Sequence, residues 1–473
     1  LTGSPALWAG SFTKIRGNMN YTKLLAEFCS QISFDNLPEE VIHKTKLCIL
    51  DCIANIYGSR ELADVKSVAG YIRSLQGALQ ASALGWNFRT TVNDAAFING
   101  TAAEAIEAQD GLRFGGNHPG TAVIPAAFAV AEHLGFGGRE VIEAVVAGYE
   151  AANRPAAAMH PWHTLSGFLP TGTCGTFGAA AAAAKLYRFD SNRMLDALGN
   201  AGYILPLSMA EHLMGGYTIK IVQGGQAASA GIRAAGLAGS GITGAPYVLE
   251  GSELNGGFTK ITTNAEPNMD KIIEGLGEHF TVMDVYFKPY TACRHTHGAI
   301  QATLAIVKEE EIPPYDIEKV EVYTYGIAVI AVGKGVKEKD TFVSAQFSIP
   351  YCVAACLTDG EFGPQQMKET RIEDPDVVEL SRKVHVLMDD DLNNIYPDMT
   401  SSRVEIYLKD GRKLVQQVDI PKGDPRDPMN EKEISEKVRY FAGRKKRERA
   451  DKVIEMILDM ENIYNIDELA KLI

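Results

Sequence analysis

The chain has 473 residues, enough for two domains or for one large domain with an insertion, and its 46% apolar and 22% charged residues are an ordinary globular composition. A formal net charge of −13 disfavours nucleic acid and anionic membranes as partners, while a locally basic pocket for an acidic substrate stays compatible with it. The seven cysteines are odd in number and scattered, which is unlike a disulfide framework and points to a reducing cytoplasm.

The opening segment, "LTGSPALWAGSFTKIRG", is too short in its apolar run for a signal peptide, and Met19 follows it as a candidate start. No apolar run reaches membrane-spanning length. From Tyr21 to about Gly275 the text is mostly helical. "LPEEVIHKTKLCILDCIANIYGS" has apolar residues at helical spacing, with Pro38 and two glutamates suited to a first turn. "GREVIEAVVAGYEAANR" places Val141, Val145 and Tyr149 on one face, and "GTFGAAAAAAKLYRF" predicts an alanine-rich helix thin enough to be central. Cys48/Cys52 and Cys352/Cys356, each four apart, read as small core residues, without zinc or iron–sulfur spacing.

After about Thr281 the character changes. "KVEVYTYGIAVIAV" alternates and predicts a strand with Val320, Val322 and Thr324 on one side. "SSRVEIYLKDGRKLVQQVDI" predicts a hairpin turning at Asp410-Gly411. Helical text lies between them, in "AQFSIPYCVAACLTDG" and "DPDVVELSRKV". "PKGDPRDP" reads as a linker, and helical text returns from Glu431 to Ile473. The expected architecture is mainly α: an all-helical domain (residues 20–276 and 426–473) with a smaller α+β lid (residues 277–425) inserted in it. The run "GRKKRERADK" is mixed in sign and reads as a solvated helix face.

Several segments could carry chemistry. Gly239, Gly241 and Gly244 match the dinucleotide fingerprint, but a helix precedes them where that site needs a strand, so they read as a helix–helix connection. In "QDGLRFGGNHPGTA", Asp110, Arg113 and His118 lie in a glycine-loosened loop before an apolar helix. A histidine beside a helix N-terminus sits in a positive field that favours its neutral, base-competent form; a turn histidine bonded to backbone accounts for the same residues. Thr171, Gly172 and Thr173 open the alanine-rich helix, either as a carboxylate cradle or as plain caps. Lys220 follows a glycine-opened turn, and "YFKPYTACRHTHGAI" gathers Lys288, Arg294, His295 and His297. Two histidines two apart do not share a helix face, so this segment reads as a cationic wall for an anionic substrate at the domain junction. Together these groups suit proton removal beside a carboxylate, with no cofactor motif.

The segments "FINGTAAEAIEAQDG", "NHPGTAVIPAAFAVAEHLGFGGREVIEAVVAGYEAANR", "PTGTCGTFGAAAAAAKL", "YFKPYTACRHTH", "AQFSIPYCVAACLTDG" and "DPDVVELSRKV" resemble, in order, those of the MmgE/PrpD family. That family includes 2-methylcitrate dehydratase, cis-aconitate decarboxylase and iminodisuccinate epimerase. The resemblance implies a helical domain with an α+β lid, a site between them, a homodimer and no required metal or cofactor. It implies catalytic roles for His118, Asp110 and Lys220, and substrate binding by Lys288, with Arg294 and His297 as further contacts; Arg113 and Thr171, read from their own segments, join the expected substrate-binding set. Tyr149 matches the family's G-Y-E segment and fits a helix core equally well.

The chain also departs from the family pattern. Gln109 replaces one of an acidic pair, Ala108 stands at the upstream acidic position, and Leu112 and Leu169 replace polar groups. Fewer acids then remain to protonate a leaving hydroxyl. The expected activity is a hydro-lyase of the 2-methylcitrate dehydratase type acting on a small di- or tricarboxylate, with an epimerase or a non-catalytic anion binder as the alternatives.

Overall fold

The computed structural model describes residues 19–336 and 340–473; the expectation for the opening segment lies outside the described residues up to Gly17. The first half is a stack of helices: α1 (Tyr21–Gln31), α2 (Glu39–Ser59), α3 (Ala63–Ser74), α4 (Val92–Ala105), α5 (Gly120–Leu134), α6 (Gly138–Met159), α7 (Pro170–Leu186), α8 (Ser191–Ile204) and α9 (Gln223–Gly239). The alanine-rich helix is α7. Its alanines 179–184 are fully buried, and their small side chains let α5, α6, α8 and α9 close in around it. Val141, Val145 and Tyr149 of α6 face the same core.

Two short ribbons punctuate this half. β1 (Ala81–Ser82) pairs with β2 (Arg89–Thr90), and β3 (Gly111–Leu112) pairs antiparallel with β4 (Val285–Tyr286). The second ribbon joins the loop before α5 to the segment that enters the C-terminal part of the chain.

That part holds a four-stranded sheet of β5 (Ile317–Thr324), β6 (Val384–Met388), β7 (Ser402–Leu408) and β8 (Lys413–Val418), in the order β6-β5-β7-β8. β5 runs parallel to β6 and antiparallel to β7. Helix α10 (His297–Glu309) packs on β7 and β8, α11 (Ile349–Asp359) packs on α10, and α12 (Pro375–Arg382) packs on α11. Val320, Val322 and Thr324 are all buried, as their alternation predicts. The hairpin turns at Asp410-Gly411, where Gly411 has φ +90°.

The sequence predicts a longer strand than the structure has. β5 stops at Thr324, and Gly326–Val332 is helical. The partners end there too: Thr324 pairs with Met388 of β6 and Ser402 of β7, the last paired residues on that side. Beyond the last partner an apolar Ile-Ala-Val run gains more from helical bonds within the chain. Strand β6 itself follows the expected helix α12 directly.

After the sheet, α13 (Glu431–Ala442) packs on α2, and α14 (Arg447–Leu458) packs on α13. The fold is mainly α with a small sheet confined to the C-terminal part, as expected from sequence. No described helix is long and apolar enough to cross a membrane. "GSGITG" begins in the last turn of α9 and no strand precedes it, so the phosphate-binding context of that fingerprint is lacking.

Candidate active site

Segments far apart in sequence converge on one buried charge cluster. Glu104 sits in the last turn of α4, and Glu107 lies just beyond its end. Lys220 comes from the short 3-10 turn Thr218–Val222 that runs into α9. Lys288 follows β4, which the β3–β4 ribbon ties to the loop before α5. His118 ends that loop, beside the Pro119-Gly120 start of α5.

The contacts are close. The Lys220 ammonium donates to Glu104 Oε1 at 2.8 Å and also to Glu107 Oε2. Lys288 donates to the other oxygen of Glu107 at 2.7 Å. The Gln223 side-chain amide donates to Glu104 Oε1. His118 Nε2 stands 4.0 Å from Glu107 Oε1. Glu107 has φ +55°, a left-handed conformation uncommon for a residue with a side chain. Two buried ammonium groups hold its carboxylate while the backbone is in that conformation, so the pairing sets the shape of the loop.

The ribbon requires glycine at position 111. A Cβ there would lie 2.4 Å from the Tyr286 hydroxyl and 2.9 Å from His118 Nδ1. Only a residue without a side chain lets the histidine ring and β4 approach from both sides.

His118 is oriented through both ring and backbone. Its Nδ1 is 2.7 Å from the Asp110 carbonyl oxygen, which can only accept, so this nitrogen carries the proton. In the neutral ring the lone pair is then on Nε2, the atom facing Glu107. The His118 amide donates to the Thr171 hydroxyl at 3.0 Å. Burial, then the Lys288 ammonium, push the His118 pKa down to about 4 against the opposing pull of Glu104 and Glu107. At neutral pH the ring is uncharged and able to accept a proton.

The carboxylates differ from one another. Burial would raise Glu107, but the Lys220 and then the Lys288 ammonium hold it well below the ordinary range. Burial would lower Lys220, but Glu104 and Glu107 hold it above its ordinary value. Asp110 is pushed up to about 7 by burial and by the nearby Asp51, although the Tyr149 hydroxyl at 2.6 Å and the Gly120 amide at 3.1 Å both bond its carboxyl. Asp51 in turn accepts from the Lys437 ammonium of α13 at 2.6 Å, and Lys437 also donates to the Ala108 carbonyl. The C-terminal helices therefore buttress the loop that carries Glu107 and Asp110.

Three of the sequence-predicted residues, His118, Lys220 and Lys288, meet in this cluster. Asp110 lies behind the histidine and holds it through the main chain. Thr171 accepts from the His118 amide and so helps to hold the histidine. Arg294 donates to the carbonyls of Pro421 and Lys422 at 2.6 and 2.7 Å and covers the Tyr286 ring. The "PKGDPRDP" segment is thus a docked turn and not a bare linker. Arg113 lies over Phe114, 3.9 Å from Asp424 of that same turn. His297 is fully buried, with Nε2 bonded to the Ala292 carbonyl at 3.1 Å and Tyr290 beside it; the structure places it in the core.

The sequence reading misses Glu104 and Glu107. It takes Ala108 as the upstream acidic position and finds the acid lost, whereas two carboxylates stand beside the two lysines. Of the expected cationic wall of Lys288, Arg294, His295 and His297 only Lys288 joins the cluster, where it and Lys220 face two carboxylates. The signal was present in "AAEAIEAQDG": two glutamates in an alanine helix end, where burial demands partners. Among the described residues no group of three His, Cys, Asp or Glu side chains is arranged to hold a metal ion.

Comparison with known proteins places these observations in context. Residues 23–270 match the MmgE/PrpD N-terminal domain, and residues 290–462 match the MmgE/PrpD C-terminal domain. The chain is similar to the cis-aconitate decarboxylase of Aspergillus terreus, 26% identical over 96% of this chain and 95% of that protein. It is also 26% identical to the cis-aconitate decarboxylase of Homo sapiens, over 96% of this chain and 94% of that one. The cis-aconitate decarboxylase-like protein oryM of Aspergillus oryzae is 25% identical over 96% and 97%.

Proposed function

Since the chain belongs to the MmgE/PrpD family, we propose that it is a carboxylic-acid lyase that eliminates water from a small di- or tricarboxylate. Neutral His118 is the base, taking the proton from a carbon beside a substrate carboxylate. The observation that carries this reading is the His118 geometry: Nδ1 held on the Asp110 carbonyl, and Nε2 facing a carboxylate that two lysines grip.

The cluster also suggests how substrate enters. A substrate carboxylate takes the place of Glu107 at Lys288 and Lys220. Without its cations, the buried Glu107 carboxylate becomes a much stronger proton acceptor, and the proton it takes from water as substrate enters makes it an acid. The C–H bond breaks toward His118 Nε2, its electron pair forms the double bond, and the C–O bond breaks. Glu107 delivers the proton with which the hydroxyl leaves as water. The lysines stay against the negative charge that develops on the carboxylate.

A second reading, loss of carbon dioxide, is favoured by the names of the relatives. The same two residues would then supply the proton to the carbon that carbon dioxide leaves. The case for an epimerase rests on a shortage of acids, which Glu104 and Glu107 weaken. A homodimer goes with this reading, and the exposed Tyr203 at the end of α8 and Leu207, Met209, Met214 and Tyr217 between α8 and α9 offer apolar surface for it. Sedimentation velocity should give twice the chain mass.

The test is proton NMR in deuterated water with a panel of polycarboxylic acids, 2-methylcitrate and cis-aconitate among them. Loss of an α-proton with new vinyl signals is elimination. Deuterium in a product one carboxyl shorter is decarboxylation. Exchange with a changed diastereomer ratio is epimerisation. Binding without any of these would refute catalysis, and a fully active His118→Ala variant would refute the base.

A further inference from the structure

A recess of about 430 Å³ lies on the helical part of the chain, between the end of α2, α3, the β1–β2 connection and the turn that precedes α14. Arg60, Lys66, Arg73 and Lys446 line it, with Glu61 as the one carboxylate and Trp86 in the wall. None of these residues belongs to the buried cluster around His118.

Four cations share a small space on a chain whose net charge is −13. Their mutual repulsion is poorly relieved from within. Glu61 is bonded to Lys66 at 2.8 Å and stands 3.8 Å from Arg60 Nε. Among the described residues, Arg60 Nη1 is buried without a hydrogen-bond partner, on a side chain 12% exposed. A buried guanidinium nitrogen without an acceptor is costly, and here three further cations lie around it. The Arg73 guanidinium lies 6.0 Å over the Phe88 ring, so it is held at the rim by stacking. Lys446 comes from "GRKKRERADK", which as a whole is solvated; this one residue turns into the recess.

We propose that this recess binds a small polyanion, a phosphate ester or a polycarboxylate, with Arg60 and Lys446 gripping its charged group and Trp86 against its body. Guanidinium groups bond either oxyanion through paired N–H donors. Overall acidity of the chain argues for a compact ligand that fits within the recess and against an extended nucleic acid.

Trp86 supplies a local probe. In a Trp8→Phe/Trp162→Phe background, its fluorescence is followed during titration with inorganic pyrophosphate and, separately, with citrate. The expected result is a saturable change with at least one of them, weakened tenfold or more by Arg60→Met and by Lys446→Met, and left in place by Lys288→Met. Lys446→Met keeps the test valid if the Arg60 variant misfolds. A response to pyrophosphate alone assigns the recess to phosphate ligands, and to citrate alone, to polycarboxylates. No response to either up to millimolar concentration, or a response indifferent to both substitutions, would overturn the proposal.

Discussion

His118 is kept neutral by its surroundings, and this fixes its pH behaviour. Its pKa in the fold is about 4, below the ordinary 6.5, so the ring stays uncharged well into acid. The acid limb of kcat/KM should fall near pH 4, measured with whichever acid the NMR panel identifies; a limb near 6.5 would place the histidine in water. His118→Ala should lower kcat/KM by about 10²- to 10⁴-fold. Asp110 has the opposite bias, because its carboxyl is pushed up to about 7 from an ordinary 3.8. The fold thus favours the protonated form, so this contribution to stability is full below pH 4 and lost as pH rises toward 7. Asp110→Asn cannot ionise, so the unfolding free energy of the native protein relative to this variant, from urea titrations, should fall by a few kcal/mol as pH rises from about 4 to 7. The Pro-Gly helix start and loose loop made His118 a candidate, a backbone-bonded turn explained the same residues, and the family resemblance singled it out. Glu107 was not legible, since its importance comes from Lys220 and Lys288, which lie 113 and 181 residues away.

At the scale of elements, α2 and α13 are fastened by one buried ion pair, Asp51 with Lys437. Lys437→Met leaves the Asp51 carboxylate buried without its cation and should cost about 3–5 kcal/mol in chemical denaturation. Adding Asp51→Asn should recover a large part of that loss, whereas two independent sites would simply add. In the sheet, Gly411 has φ +90°, so Gly411→Ala should destabilise the molecule by about 1–2 kcal/mol, read as a lowered melting temperature. That hairpin was legible because Asp-Gly between alternating arms is a local signal. The end of β5 was not, because a strand stops where its neighbours stop, and β6 and β7 are supplied by later sequence.

Over the whole molecule, the mainly helical character and the small later sheet follow from composition and periodicity. The convergence of α4, the loop before α5, the start of α9 and the segment after β4 does not, because it depends on packing around α7. The relation of α13 to the loop at Ala108 is equally invisible in sequence. Ending the chain after Asp427 should leave the helices around α7 in place and loosen residues 104–118, seen as faster amide hydrogen exchange there than in α7. Unchanged exchange in that segment would show that the Lys437 contact is dispensable.

The Lys437 contact with the Ala108 carbonyl spans 329 positions of the chain. A ribosome therefore delivers the glutamate, the histidine and both site lysines long before the residue that braces them. Until Lys437 emerges, Asp51 and the loop at Ala108 lack their shared cation. In a chain still being made, the loop that carries Glu107 and Asp110 therefore gains this brace only once α13 has been delivered.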